Sequence, residues 1–439
     1  DQTIQWRQLW KRYIAFMKKE NGMIKILFFI DTLAGGGAEK VLWTLVNNMD
    51  QSKFSITVQT LEEVNPHEYL VPGIRYKAIN RCKTAFGKKL FHFWIRLCAE
   101  LKWLYPLYIR DDYDIEVAYL ECGPTKILAG STNKKALKLA WVHCDLIKKE
   151  GIAAQAEKQK KHYRAYDKVI CVSENVKDSV VSLFGLESEA VVLYNVNDEE
   201  EILEKAKAFD VPMTDGANLV AVGRLSMEKG FDRLILACAM LKQNGNRFQL
   251  RILGEGPERQ SLEEQIRKYY LEGQVKLLGF QANPYPYMAA ADIVVIPSRY
   301  EGFSTVATEA LILGKPVVTT PCSGMRELLG DSQYGLITED SVEGIYSGMK
   351  KMLEDPEIPV NIYDLGLIYE IDFEPSGEAN IRMTLTAPNC PMADRLVEDV
   401  NTQVAKVPGV EKVNVILVFE PAWDKSMMSE EALFTLNLF

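Results

Sequence analysis

Short apolar runs recur between residues 24 and 320, each about six residues long and set off by polar or glycine-bearing stretches. "IKILFFI" (24–30), "IEVAYL" (115–120), "LKLAWV" (137–142) and "DKVICV" (167–172) come first. "NLVAVG" (218–223), "FQLRIL", "VKLLGF" (275–280), "DIVVIP" (292–297) and "KPVVTT" (315–320) follow. These runs are predominantly apolar rather than alternating, as strands covered on both faces are, and helical stretches lie between them. The pattern predicts an α/β protein of two doubly wound, Rossmann-like halves, 23–197 and 198–353, divided in the polar stretch near 198–217. A cleft between such halves, facing the carboxyl ends of the strands, is where a ligand binds.

The pattern changes at both ends. Residues 1–22 place Ile4, Trp6, Leu9, Trp10, Tyr13, Ile14 and Met17 near helical spacing among basic residues. Two readings stand for them: an amphipathic basic leader suited to a membrane surface, or an upstream remnant before a natural start at Met23. Beyond residue 354, one alternating strand, a second strand, a loop with Cys390, an amphipathic helix and a third strand predict a small α+β domain over 354–439.

Charge supports that boundary. Residues 355–439 carry 15 acids against 5 bases, leaving 46 bases against 45 acids in the rest of the chain. The larger portion is therefore nearly neutral, which argues against a nucleic-acid partner. The eight cysteines are scattered without a C-x-x-C pair, and with only four histidines this argues against a disulfide framework or a structural zinc site. That usage fits a reducing cytosol. No apolar run reaches the roughly 18 residues that would read as a membrane span.

Candidate chemistry sits after the strands. "FFIDTLAGGGAEKV" is a strand, a glycine-rich turn and a helix with Glu39 in its first turn. Gly35, Gly36 and Gly37 let backbone approach a sugar or phosphate, although a tight strand-to-helix turn needs the same residues. "VAVGRLSMEKGFDRLI" puts Arg224 and Lys229 just beyond a strand, two cations suited to a diphosphate. "GEGPE" offers Gly254 and Gly256 for close passage of a ligand. In "SRYEGFSTVATEALILGKP", Glu301 and Glu309 stand either side of a helix start, spaced to flank one elongated ligand, with the N–H groups of Gly302 and Phe303 open to a phosphate.

The ordered words "GGGAE", "WVHCD", "CVSENVK", "LYNVND", "GRLSMEKG", "GEGPE" and "EGFSTVATEA" resemble the family 4 glycosyltransferases, retaining enzymes of the GT-B fold, from about Met23 to Leu353. The resemblance implies transfer of a sugar from a nucleotide-diphosphate donor of UDP or GDP type to a glycan or lipid-linked acceptor in cell-surface polysaccharide synthesis. It assigns Arg224 and Lys229 to the diphosphate, Glu301 to the donor sugar, Glu309 to the ribose and His143 to the reacting centre. No metal is expected, because two cations already meet the leaving group. Other readings of the residues remain: a hydrogen-bonded core role for His143, and capping or solvation of its helix for Glu309. "GKKLFHFWIRLCAELKWLYPLYIR" (87–110) reads either as a peripheral membrane contact at the inner face or as a helix packing its aromatic side.

"DPEIPVNIYDLGLIY", "TLTAPNCP" and "PAWDKSMMSEEA" resemble the iron–sulfur assembly domain of SUF-associated maturation factors and phenylacetate-oxidation accessory subunits. By that resemblance Cys390 is the reactive residue, with Asp364, Thr384 and Thr386 beside it. A thiol ahead of a helix favours thiolate and transient iron, but one thiol cannot satisfy a cluster that takes four ligands. A scaffold or adaptor for assembly or target proteins follows.

The join at "GMKKMLEDPEIPVNIYDLGLIYE" (348–370) holds no Gly/Ser-rich spacer. The GT-B crossover segment is expected just where the second domain begins. The sequence therefore predicts a transferase with weakened closure, and favours an accidental junction over an evolved fusion. The alternative to an active transferase is an iron–sulfur maturation adaptor with an inactive or artefactually fused transferase portion.

Overall fold

The computed structural model describes residues 23–80, 103–149, 155–354, 366–385 and 410–428 apart from single positions, with scattered residues at 91–98 and 397–409. The leader 1–22, Gly35, Asp364, Thr386 and Cys390 lie outside the described residues. The chain divides into two compact units, Asp1–Asp331 with Leu336–Met349, and Ser332–Gly335 with Lys350–Phe439.

The larger unit holds two parallel sheets. The first has seven strands: β1 (Ile24–Ile30), β2 (Phe54–Glu62), β3 (Arg75–Asn80), β4 (Ile115–Ala118), β5 (Leu137–Val142), β6 (Lys168–Cys171) and β7 (Ala190–Val192). Their order is β3-β2-β1-β4-β5-β6-β7, every pair parallel. The second has β8 (Ala217–Val222), β9 (Phe248–Leu253), β10 (Val275–Gly279), β11 (Ile293–Ile296), β12 (Val317–Thr319) and β13 (Leu336–Ile337). It is ordered β10-β9-β8-β11-β12-β13, again parallel throughout. Each sheet reverses direction of growth beside its first strand, at β1/β4 and at β8/β11. Loops leaving the carboxyl ends diverge there and open a crevice.

The central strands are buried along almost their whole length, β1 and β9 being the clearest cases, so the apolar runs are explained by helices on both faces. Local signals set the helix ends. Ser173 accepts the N–H of Val176 to start the helix Glu174–Phe184, and Gly185 ends it in the left-handed region at φ 62°. Ser304 caps Thr305–Ile312 through Ala307, which turns Ala307, Glu309 and Ala310 inward. Four strands escape the apolar-run criterion. β2 and β3 mix polar residues among apolar ones, and β7 and β13 are very short.

The smaller unit carries β14 (Ile368–Phe373), β15 (Glu378–Met383) and β16 (Lys412–Leu417). β15 is central, antiparallel to β14 and parallel to β16. Its Ala379, Ile381 and Met383 are buried, and the last two cluster with Val400. Within 87–110, Phe93, Trp94 and Trp103 are exposed while Leu104 is buried; most of the remainder lies outside the described residues. Among the described residues no helix is long and apolar enough to cross a membrane.

Candidate active site in the larger unit

Loops from the carboxyl ends of both sheets meet at Gly302. A Cβ at Gly302 would stand 2.0 Å from the carbonyl oxygen of His143, so only glycine permits this approach of one half to the other. Ser173 donates to the carbonyl of Gly302 at 3.0 Å while also capping its own helix. Phe303 follows and is buried in the apolar core of the first half, with its ring 5.3 Å from that of Tyr194. Ser323 donates to Asp145 at 3.1 Å, and the N–H of Gly324 to Asn175 at 3.3 Å. The halves are therefore held together by hydrogen bonds around one close backbone contact.

The donor-side cations stand at the mouth of β8. Lys229 ends a short 3-10 turn, Met227–Lys229, closed by Gly230 at φ 66°, where a Cβ would strike the carbonyl of Pro297. Its Nζ lies 2.7 Å from Oε1 of Glu301, which also accepts from Ser298 at 2.7 Å. Arg224 is exposed on the same loop and acts across the cleft on Glu39. Burial pushes the Glu39 carboxyl up; its helix N–H and Arg224 oppose this only in part. Its side chain folds over Gly36, filling the place a Cβ would take. At Gly254, with φ 143°, and at Gly256 the space freed by the missing side chain is taken by the backbone of Gly223 and Leu225. These two glycines admit the chain's own loop.

His143 leaves β5 in an aromatic stack, its ring 4.8 Å from Tyr119 and nearly parallel to Trp141 at 6.1 Å. Its Nε2 is shut off from solvent without a hydrogen-bond partner. Burial holds the imidazole neutral, lowering its pKa to about 4 against a weaker pull from Glu121. Glu121, unremarked in the sequence, anchors the loop beneath. It accepts from the His143 N–H at 3.1 Å, the Cys144 thiol at 3.0 Å and Lys149 at 2.8 Å. Burial alone would raise its pKa; Lys149, Cys144 and His143 outweigh that and bring it to about 2.

Glu309 is neither a cap nor solvated. It is buried, and its Oε1 is ion-paired with Lys40 of the helix Gly37–Asn47, whose ammonium is shared with the Tyr285 hydroxyl. Sequence reasoning missed Lys40, Tyr285, Ser298 and Ser173. The first follows Glu39 directly in "GGGAEK", which was a usable signal; Tyr285 had none.

Residues 204–365 match the family Glycosyl transferases group 1, and residues 351–415 match Iron-sulfur cluster assembly protein, so the two matches overlap at 351–365. The chain therefore carries a glycosyl transferases group 1 domain joined to an iron–sulfur cluster assembly domain. Over 89 residues the assembly domain is 56% identical to an Fe-S protein maturation auxiliary factor of Porphyromonas gingivalis, spanning 20% of this chain and 85% of that protein. The transferase is 39% identical over 186 residues to N-acetylgalactosamine-N,N'-diacetylbacillosaminyl-diphospho-undecaprenol 4-alpha-N-acetylgalactosaminyltransferase of Campylobacter jejuni. That alignment takes in 42% of this chain and half the length of the relative. HepE of Anabaena, solved with UDP and glucose, shares the GT-B fold at a TM-score of 0.60 and 22% identity, covering 76% of this chain and 91% of that one.

In the assembly domain only Thr384 of the four sequence candidates is described. Its N–H donates to the carbonyl of Leu367 at 2.8 Å, and its hydroxyl oxygen is buried without a hydrogen-bond partner.

Proposed function

We propose that the transferase moves a sugar, with retention, from a nucleotide-diphosphate donor to a glycan or lipid-linked acceptor in cell-surface polysaccharide synthesis. The observation that carries this is the Lys229–Glu301 ion pair at the mouth of β8, beside Arg224 and facing the His143 backbone across Gly302. As the donor bond breaks, negative charge grows on the leaving diphosphate, where Arg224 and Lys229 stabilise it. Glu301, released from Lys229 by that exchange, and the His143 carbonyl are electron-rich groups for a sugar turning oxocarbenium-like. Glu309 receives the ribose. The UDP in HepE supports a uridine donor, and the undecaprenol-linked substrate in the name of the Campylobacter relative supports a lipid-linked acceptor. Such an acceptor fits an enzyme working in the cytoplasm, at the inner face of the membrane.

Donor hydrolysis and transfer by the parent, Glu301→Ala and Lys229→Ala test the proposal. Activity lost in both variants supports it, and parental turnover in both overturns it. A parent without turnover that still binds UDP or GDP supports the expected loss of closure at the 348–370 join.

The assembly domain supports a second, independent role as a maturation adaptor, favoured by its 56% identity to the Porphyromonas factor. Cys390→Ser is expected to abolish iron-dependent capture of assembly or target proteins by the full chain; undiminished capture refutes the role.

A further inference from the structure

We infer that Lys40 is a positioning residue for the donor: it reaches across the cleft to hold the Glu309 carboxylate, so that the ribose site is completed by both halves. This rests on the reading of Glu309 as the ribose acceptor. Lys40 itself belongs to the glycine-rich turn's helix on the opposite half, where only Gly35, Gly36, Gly37 and Glu39 drew attention in the sequence.

The geometry is that of two helices meeting in rungs. Gly37 faces Thr305, whose Oγ1 would lie 3.6 Å from a Cβ on that glycine. One turn further along each helix, Lys40 meets Glu309. A Cβ at 37 would rest in ordinary contact with Thr305, so the two helix faces are already close at the first rung. The Lys40 ammonium also sits 4.7 Å from the centre of the Tyr285 ring, whose hydroxyl accepts from it. That leaves Lys40 little choice of rotamer.

Charge explains why the rung matters. The groups around Glu309 are Lys40, Tyr285 and, lining the same pocket from the start of the helix Glu199–Ala206, Asp198 and Glu201. Lys40 is the one cation among them. Burial pushes the Glu309 carboxyl up, and Lys40 is the group that opposes it. Lys40 is held charged in turn, since Glu309 and Tyr285 outweigh its own desolvation. A carboxylate accepts ribose hydroxyls through charge-assisted bonds, whereas a protonated carboxyl offers a weaker acceptor. Lys40 therefore sets the strength of a contact it does not itself make.

The test is calorimetric binding of UDP or GDP, whichever binds the full-length parent more tightly, compared with the 2′,3′-dideoxy nucleotide. The parent should prefer the ribose form by about tenfold or more, a difference of about 1.4 kcal/mol. In Lys40→Met that preference should collapse towards unity while affinity for the dideoxy nucleotide stays within about twofold. Lys40→Arg, which keeps the charge, should recover much of it. Lys40→Gln serves in place of Lys40→Met should the apolar variant not fold. The Lys40→Met/Glu309→Gln double variant should discriminate no worse than Glu309→Gln alone, because both changes remove one interaction. Parental discrimination in folded Lys40→Met or Lys40→Gln overturns the inference. A parent that binds both nucleotides equally overturns instead the ribose reading of Glu309 on which it stands.

Discussion

Gly302 lies so close to His143 that its missing side chain sets the distance between the two halves; a Cβ there would be 2.0 Å from the His143 oxygen and 2.5 Å from its carbon. Gly302→Ala must open this contact or displace the 143–149 loop. A misplacement near 1 Å at a reacting centre costs about 100-fold in rate. Donor turnover should fall by roughly that factor, with a larger radius of gyration by solution scattering. Turnover at the parental rate would show that the contact is not part of the working state.

Lys229 and Arg224 should act on rate rather than on folding. Lys229→Met removes a cation from the leaving diphosphate, and single stabilising groups of this kind are worth about 10²–10³ in kcat. Arg224, being exposed and without a close ion pair in the described residues, should weaken donor binding as well. Steady-state kinetics with varied donor separates the two, and an unchanged kcat in Lys229→Met contradicts the assignment.

His143 makes the larger unit sensitive to acid. Its folded pKa, about 4, lies below the ordinary value of 6.5. The unfolded chain therefore binds the proton first, and stability is lost as pH falls from 6.5 towards 4. The slope approaches about 1.4 kcal/mol per pH unit within that window. Glu121, depressed to about 2, adds its own loss only below about 4.5. Urea midpoints of the parent and His143→Gln, taken from pH 7 to 4, should diverge across the upper window. Parallel curves would rule the effect out.

Ser173 serves one donor and one acceptor at once, receiving the Val176 N–H at 3.2 Å and giving its own proton to the Gly302 carbonyl. Ser173→Ala loses a cap and a buried inter-half hydrogen bond, together about 1–3 kcal/mol. Denaturation should report that loss. Ser173→Thr, which keeps the hydroxyl, should recover part of it, and equal losses in both variants would assign the effect to packing instead.

What the sequence revealed follows from range. Strands such as "IKILFFI" are legible because burial on both faces leaves a run of five consecutive apolar residues, Ile26 to Ile30, within seven. β2 and β3 were missed because Thr57, Gln59 and Thr60 are buried polar residues inside β2, and β3 is an edge strand of mixed character. Arg224, Lys229 and Glu301 could be singled out because each sits in a short word beside a strand end, and the structure brings Lys229 and Glu301 into an ion pair. Lys40 and Glu309 are 269 positions apart, and Ser173 and Gly302 are 129 apart. Their partnerships exist only once two sheets face each other, and no local spacing encodes them. At the glycines at 254 and 256 a missing side chain makes room for the backbone of Gly223 and Leu225, a neighbour that sequence does not name.

Phe303 belongs to the second half by chain order and to the first by packing, its ring set against Tyr194 within the core around β1 to β7. The consequence is for modularity. A chimera that exchanges the donor-binding portion between relatives at the 198–217 stretch carries Phe303 away from the surface that receives it. Grafting a new donor preference onto this scaffold therefore requires moving Tyr194 and its neighbours together with the loop that follows β11, as one heritable block.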